Sequence, residues 1–336
     1  MKKSKKIVRD YFISVIAVLD NDSDIVGKFV WNAINVLKSN YENYEFVLID
    51  NDSTDKTESI VNKMLENEEC IRYIRLSRKY GLEVAMSAGL ETVIGDIVII
   101  LEPQYDPPKL ITSFVKKTIS TGGVVYGIIL NYDEKMPTHY KIGKVLFHLF
   151  CKIFLEFSPP KNAGFFMGLS RPALNAIIQI KGQTKFLRVF GKKIGFNTDN
   201  ISYKIEPIRK KLRARSFVQS IDYAIAVIFT NSNRSLRIVS LLGLFAAFLN
   251  LLLVVGVFLI AILKKNVVAE VALVSLQQAV MFFFVFLIIT LFIEYAIRNM
   301  ENTKEGPAYY IDYEKNSTVM IRKEAERRNI FENPRD

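Results

Sequence analysis

The sequence predicts an α/β protein with a doubly wound, mainly parallel sheet, followed by amphipathic interface helices and a two-helix transmembrane hairpin. Three observations carry this. Over residues 1–130, short β-branched apolar runs alternate with segments whose apolar residues recur at helical spacing. Two later stretches, 238–263 and 271–293, contain no charged residue, and each exceeds the about 20 residues that span a bilayer core. Half of the 336 residues are hydrophobic, which excludes a mainly disordered chain.

Each element has its own justification. The opening MKKSKK followed by YFISVIAVL has the outline of a short signal peptide. Asp20, Asn21 and Asp22 follow at once without a cleavage site, so 12–19 is read as a buried strand. Ile25, Val26, Phe29, Val30, Ala33, Ile34 and Leu37 then mark a helix, with Asp22 or Ser23 as its cap. A strand is expected at 44–49, a helix through Ile60, Val61, Met64 and Leu65, a strand at 71–76, a helix at 81–93 and a strand at 97–101. Pro107 and Pro108 suit the first turn of the next helix, and a fifth strand follows at 123–130. Alternating βα units give a parallel sheet, whose ligands sit at the carboxyl ends of the strands.

Beyond this the pattern changes. At 139–157, Ile142, Val145, Leu146, Leu149, Ile153 and Phe154 form one helical face and Lys141, Lys144, His148 and Lys152 another, as in a helix lying on an anionic membrane or on the core. A second amphipathic helix is expected within 216–235, leading into the transmembrane segment 236–297. Between Arg188 and Arg237 the acids are only Asp199, Glu206 and Asp222 amid many Lys and Arg, which places this side in the cytoplasm. The hairpin returns the tail, 298–336, to the same side. Residues 1–215 then form the cytoplasmic domain. Gln277 and Gln278 fall in the second span, near an interface or between helices. Gly243, Ala246 and Ala247 in the first permit close helix association, hence a homo-oligomer.

Lys and Arg number 45 against 34 Asp and Glu, a net charge of +11. That suggests an anionic partner: a phosphorylated substrate, an acidic membrane or nucleic acid. Nucleic acid is set aside, because the basic residues adjoin the membrane segments and no recognition motif is present. Cys70 and Cys151 cannot make a disulfide framework, and His139 and His148 have no zinc spacing.

The sharpest motif is LIDNDSTDKTE at 48–58: a strand ending in Asp50, Asn51 and Asp52, with Ser53, Thr54 and Asp55 at a helix start. Such groups can hydrogen-bond a base or ribose, or simply build a turn and a helix cap. ISVIAVLDND precedes it at 13–22; LSRKYGLEVAMSAGL at 76–90, GDIVIILEP at 95–103 and YDPP at 105–108 follow. In this order the set resembles the family 2 glycosyltransferases, and within them the membrane-anchored branch that makes polyprenyl-phosphate sugars. The resemblance extends from residue 13 to about 297. It implies a nucleotide-sugar-binding fold of the GT-A type, a nucleotide-sugar donor, a polyprenyl (undecaprenyl or dolichyl) phosphate acceptor in contact with membrane lipids, and Mg²⁺ or Mn²⁺.

Carried over by position, Asp22, Asp50, Asn51 and Arg78 match the donor-binding residues. Glu102-Pro103-Gln104 stands where the family has its metal-binding Asp-x-Asp, so Glu102 and Gln104 take the metal positions and Glu102 and Asp106 the catalytic ones. Gln104 offers only a neutral carbonyl to a hard cation. Phe165 and Met167 replace an Asp and an Arg of the acceptor region, where Ser170 and Arg171 remain. Ser170 and Arg171, with Arg209, Lys210, Arg213 and Arg215 of the pre-membrane loop, are expected to meet the acceptor phosphate. The expected activity is inverting sugar transfer at a bacterial inner membrane, the catalytic domain being cytoplasmic, for cell-envelope glycan. The alternative is a non-catalytic relative that binds or scaffolds a partner enzyme.

Overall fold

The computed structural model describes residues 11–131, 160–180, 187–188, 194–205, 267–303 and 307–318, with 245, 248–249, 252 and 255–256. The chain divides into two compact units. The first holds 1–142, 159–214 and 305–336; the second holds 143–158 and 215–304.

In the first unit the expected alternation is present. Strand β1 (Ile13–Leu19) leads to helix α1 (Val26–Asn40), β2 (Tyr44–Asp50) to α2 (Thr57–Asn67), and β3 (Ile71–Leu76) to α3 (Leu82–Thr92). After β4 (Ile97–Leu101) a single 3₁₀ turn begins at Pro108 and runs into α4 (Ile111–Thr121). Then come β5 (Val124–Ile129), β6 (Ala163–Ser170), α5 (Arg171–Ile178), β7 (Thr198–Tyr203) and β8 (Ile311–Asn316). Val26, Phe29, Val30, Ala33, Ile34 and Leu37 of α1 are all buried. Strands β1, β2 and β4 are buried along their whole length, as befits a sheet covered on both faces.

The sheet differs from the expectation in one respect. Its order is β7-β5-β6-β4-β1-β2-β3-β8. Pairs β1–β2, β1–β4, β2–β3 and β5–β7 are parallel, but β4–β6, β5–β6 and β3–β8 are antiparallel. The sheet is therefore mixed: six strands run parallel as expected, and β6 and β8 run against them. The reason is β6, which inserts antiparallel between β4 and β5 where a doubly wound sheet would pair those two directly. The β5 carboxyl end consequently lies at the same edge as those of β1 to β4, and β7 ends there too. The cap expected for α1 also differs: Asp22 offers its backbone carbonyl to Ile25 and Val26 at 2.9 and 2.8 Å, and its carboxylate turns back to the Asp20 N–H at 2.9 Å.

The segment expected as a tail supplies an element. β8 pairs antiparallel with β3, entering beside Leu76 and leaving beside Arg72. In the second unit, α6 (Val267–Thr303) contains Leu276–Ile293, long and apolar enough to cross a membrane by length and composition. Phe282, Phe283, Phe286 and Phe292 along it are exposed. The expected first span, apart from a few helical residues, and the amphipathic segments at 139–157 and 216–235 lie outside the described residues.

Candidate active site

Four loops leave the carboxyl ends of β1 to β4, and polar side chains stitch the first three together. Asn21 and Asp52 both adopt positive φ, 51° and 57°, which Asn and Asp tolerate better than other non-glycine residues. That conformation lets the Asn21 carbonyl oxygen accept from the backbone N–H groups of Thr54 and Asp55, at 2.8 and 3.2 Å. In return the Ser53 hydroxyl accepts from the Asn21 N–H at 3.0 Å, and the Thr57 hydroxyl from the Asp22 N–H at 2.8 Å. The Asp55 carboxylate accepts from the Ser23 and Thr57 N–H groups. Burial pushes its pKa up, but the bonds from Thr57 and Ser23 outweigh this and hold it at about 2.

Asp50 and Asn51 are sealed inside this arrangement. Asp50 is 0% exposed. One carboxylate oxygen accepts from Ser53 N–H at 3.0 Å; the other accepts from Arg75 at 3.0 Å and from the Tyr73 hydroxyl. Arg75 also reaches Asp52 at 3.1 Å and Glu58 at 3.4 Å. The Asn51 side chain pairs at both ends with the Tyr80 backbone, at 2.8 and 2.9 Å. These two residues therefore fix the shape of the loops after β2 and β3 rather than presenting free groups. Asp22, 6% exposed, has the same character. On the surface of these loops stand Arg78, 5.0 Å over the Tyr80 ring, and Lys79, paired with Asp20 at 2.8 Å.

The loop after β4 is a tight turn. Glu102 O accepts from the Tyr105 and Asp106 N–H groups at 3.1 and 2.9 Å. Asp106, 3% exposed, accepts from Glu102 N–H at 2.8 Å through one oxygen and from the Tyr203 hydroxyl at 2.5 Å through the other. Burial pushes its pKa up to about 7. Asp106, expected among the catalytic residues, has both oxygens engaged within the protein, one of them on the loop that carries Glu102. Gln104 is buried, and its Nε2 has no hydrogen-bond partner among the described residues. No cluster of three or more His, Cys, Asp or Glu exists among the described residues to cage a metal. A single carboxylate, Glu102, suits a cation that keeps most of its ligands on a bound phosphate rather than on protein.

Ser170 and Arg171 are not brought to this edge. Ser170 pairs with Ile97 at the opposite, amino end of β4, and its hydroxyl donates to Gly122 O at 3.0 Å. The Arg171 guanidinium donates to the carbonyls of Val93, at 3.2 Å, and Gly95. Their polar atoms, expected to meet the acceptor phosphate, tie the start of α5 to the segments that precede β4 and β5. Phe165, by contrast, lies in the half of β6 nearer the site edge, with Arg188 4.4 Å over its ring. Arg209, Lys210, Arg213 and Arg215 lie outside the described residues. Ile205, four residues before Arg209, is pinned at this edge by the Asn131 side chain at 2.9 and 3.0 Å. Sequence reasoning missed Asn21, Arg75 and Tyr203. Arg75 had a signal: a charge inside the otherwise buried strand IRYIRL requires a partner.

This geometry agrees with the comparisons. Residues 14–178 match glycosyl transferase family 2, so the chain carries a domain of that family and is a glycosyltransferase. An uncharacterized glycosyltransferase of Synechocystis is 25% identical over 302 residues, covering 89% of this chain and 94% of its own. The bactoprenol glucosyl transferase of Shigella phage SfV is 25% identical over 195 residues, 57% of this chain and 62% of its own. The mannosyl-3-phosphoglycerate synthase of Rubrobacter xylanophilus shares the fold, with a TM-score of 0.50 at 15% identity over 67% of this chain and 74% of its own.

Proposed function

We propose that the chain is an inverting, membrane-anchored transferase that moves a sugar from a nucleotide-sugar donor to a polyprenyl phosphate, with its catalytic domain on the cytoplasmic side of a bacterial inner membrane. The carrying observation is that the chain leaves β7 toward its basic stretch, and returns into β8 after the apolar helix α6, at the sheet edge where the four loops meet. The phage relative, named for glucosyl transfer to bactoprenol, supports the same acceptor class.

In this mechanism an acceptor phosphate oxygen forms a bond to the anomeric carbon as the bond to the donor diphosphate breaks. The electron pair leaves with the nucleoside diphosphate. The acceptor phosphate is ionised near pH 7, so no general base is required, and the protein's tasks are positioning and charge stabilisation. The loops shaped by Asp22, Asp50 and Asn51 receive the nucleoside, and Arg78 and Lys79 flank the diphosphate. Glu102, with Gln104, would hold Mg²⁺ or Mn²⁺, whose charge would stabilise the leaving diphosphate. Arg209, Lys210, Arg213 and Arg215 supply cations to the acceptor phosphate.

The test is transfer of label from a panel of radiolabelled nucleotide sugars into the lipid fraction of membranes carrying the protein, with and without Mg²⁺ or Mn²⁺. Label should enter lipid with wild type and be lost with Glu102→Ala. No label across the panel from folded protein would overturn the reading and favour a non-catalytic subunit.

A further inference from the structure

We propose that Tyr203 is a positioning residue for the transfer reaction: from strand β7 it holds Asp106, and through Asp106 the backbone of Glu102. The proposal rests on the glycosyltransfer reading above. Strand β7 is separated from β4 by β5 and β6. Tyr203 must therefore reach past two strands to touch the β4 loop. Both of those strands carry a glycine beside its ring. A Cβ at Gly127 of β5 would stand 2.8 Å from Tyr203 Cε1, and one at Gly164 of β6 would stand 3.1 Å from its hydroxyl oxygen. The Phe166 ring meets the Tyr203 ring edge-on at 5.6 Å between centroids. The channel is thus shaped to the tyrosine, and the hydroxyl emerges from it onto Asp106.

The far end of the channel is equally specific. Asp106 is almost wholly buried, and its two oxygens divide their work: one takes the Tyr203 hydroxyl, the other the Glu102 N–H. Burying a carboxylate and a phenol costs desolvation that phenylalanine opposite an apolar residue would avoid. What the polar pair adds is a fixed place for the turn from Glu102 to Asp106. Two residues after Tyr203 comes Ile205, held by Asn131, and then the basic stretch expected to meet the acceptor. Tyr203 therefore stands on the chain between the acceptor-side segment and the loop that bears Glu102. Displacement of Glu102 by a fraction of an ångström would weaken charge stabilisation in the transition state more than donor binding in the ground state.

The experiment compares wild type, Tyr203→Phe and Tyr203→Leu as full-length protein. Tyr203→Phe keeps the ring and loses the hydroxyl. Hydrogen–deuterium exchange of the peptide covering residues 101–106 should rise about tenfold, the equivalent of one lost hydrogen bond, while that over 13–19 is unchanged. Label transfer into lipid should show kcat down about tenfold with donor KM held within about twofold, as expected for an interaction felt mainly in the transition state. Tyr203→Leu should be about as slow as Tyr203→Phe. Combining Tyr203→Phe with Asp106→Asn should cost less than the sum of the two, because both cut one linkage. Unchanged exchange at 101–106 in Tyr203→Phe overturns the proposal. So does wild-type kcat in Tyr203→Phe with loss only in Tyr203→Leu, which would mean packing alone. If wild type transfers no label with any donor, the functional reading falls instead, and the exchange result still decides whether the linkage holds the loop.

Discussion

Asp50 and Asp106 are both buried carboxylates at the carboxyl edge, yet their surroundings give them different behaviour. Asp50 has a guanidinium, a phenol and a backbone N–H around it, so it is a paired charge. Removing it as Asp50→Ala leaves the Tyr73 hydroxyl and the Ser53 N–H without their acceptor and takes from Arg75 its most buried partner, which should cost about 3 kcal/mol. A fall in the urea midpoint of the purified chain would show this, and loss of donor binding without loss of stability would refute it. Asp106 has no cation among the described residues to offset its burial, and its pKa rises from 3.8 to about 7. Between those values the folded chain keeps a proton that the unfolded chain has released. Its contribution therefore makes stability fall as pH rises from about 4 to about 7, and level off above. Asp106→Asn, which mimics the neutral acid, should flatten that part of the curve in thermal unfolding followed against pH.

At the scale of elements, β8 shows how much the sequence disclosed and how much it withheld. β1 to β4 and the three helices between them were legible because each is bounded by turn residues and buried on a recognisable period. β8, IDYEKN, is short, polar and exposed on alternate residues, so nothing in its composition separates it from a solvated tail. It becomes a strand because β3 offers an open edge. Its side chains then complete a network: Tyr313 and Lys315 bond Glu58, holding the Glu58 carboxyl below its usual range, and Glu58 in turn contacts Arg75. β6 is hidden for a related reason: AGFFMGLS is buried on consecutive residues and lacks the alternation that marks a half-exposed strand. The site was legible in the same uneven way. The motifs fall on the loops after β1 to β4, but which oxygens face inward depends on turns at Asn21 and Asp52 and on partners from β3 and β7 that spacing does not reveal. Ending the chain after Lys304 should bare the β3 edge, lowering the thermal midpoint and promoting aggregation. Tyr313→Phe, which removes one hydrogen bond, should cost only about 1 kcal/mol in the same assay.

For the whole molecule, the two ends of the segment between β7 and β8 attach to the sheet at one edge, the edge bearing the candidate site. On the proposed reading, a water-soluble donor and a lipid-borne acceptor meet at this site, and a segment joined to the sheet at both ends would tether the domain to a membrane. Such a tether requires α6 to be held in lipid. Its exposed Phe282, Phe283, Phe286 and Phe292 would be a large unpartnered apolar surface in water. The expected outcome is that the chain stays with membranes through high-salt and alkaline washes, because burial of Leu276–Ile293 in hydrocarbon is insensitive to both. Phe283→Asp with Phe286→Asp should reverse this. Each aspartate near the middle of a span costs about 3 kcal/mol to insert, enough together to move much of the protein to the soluble or aggregated fraction. Transfer to lipid acceptor should fall with it, while donor binding by the first unit should persist, since none of the loops that shape the nucleoside side draws a residue from α6. A double variant that remained fully membrane-bound would mean that other segments suffice as the anchor, and that α6 has a different partner.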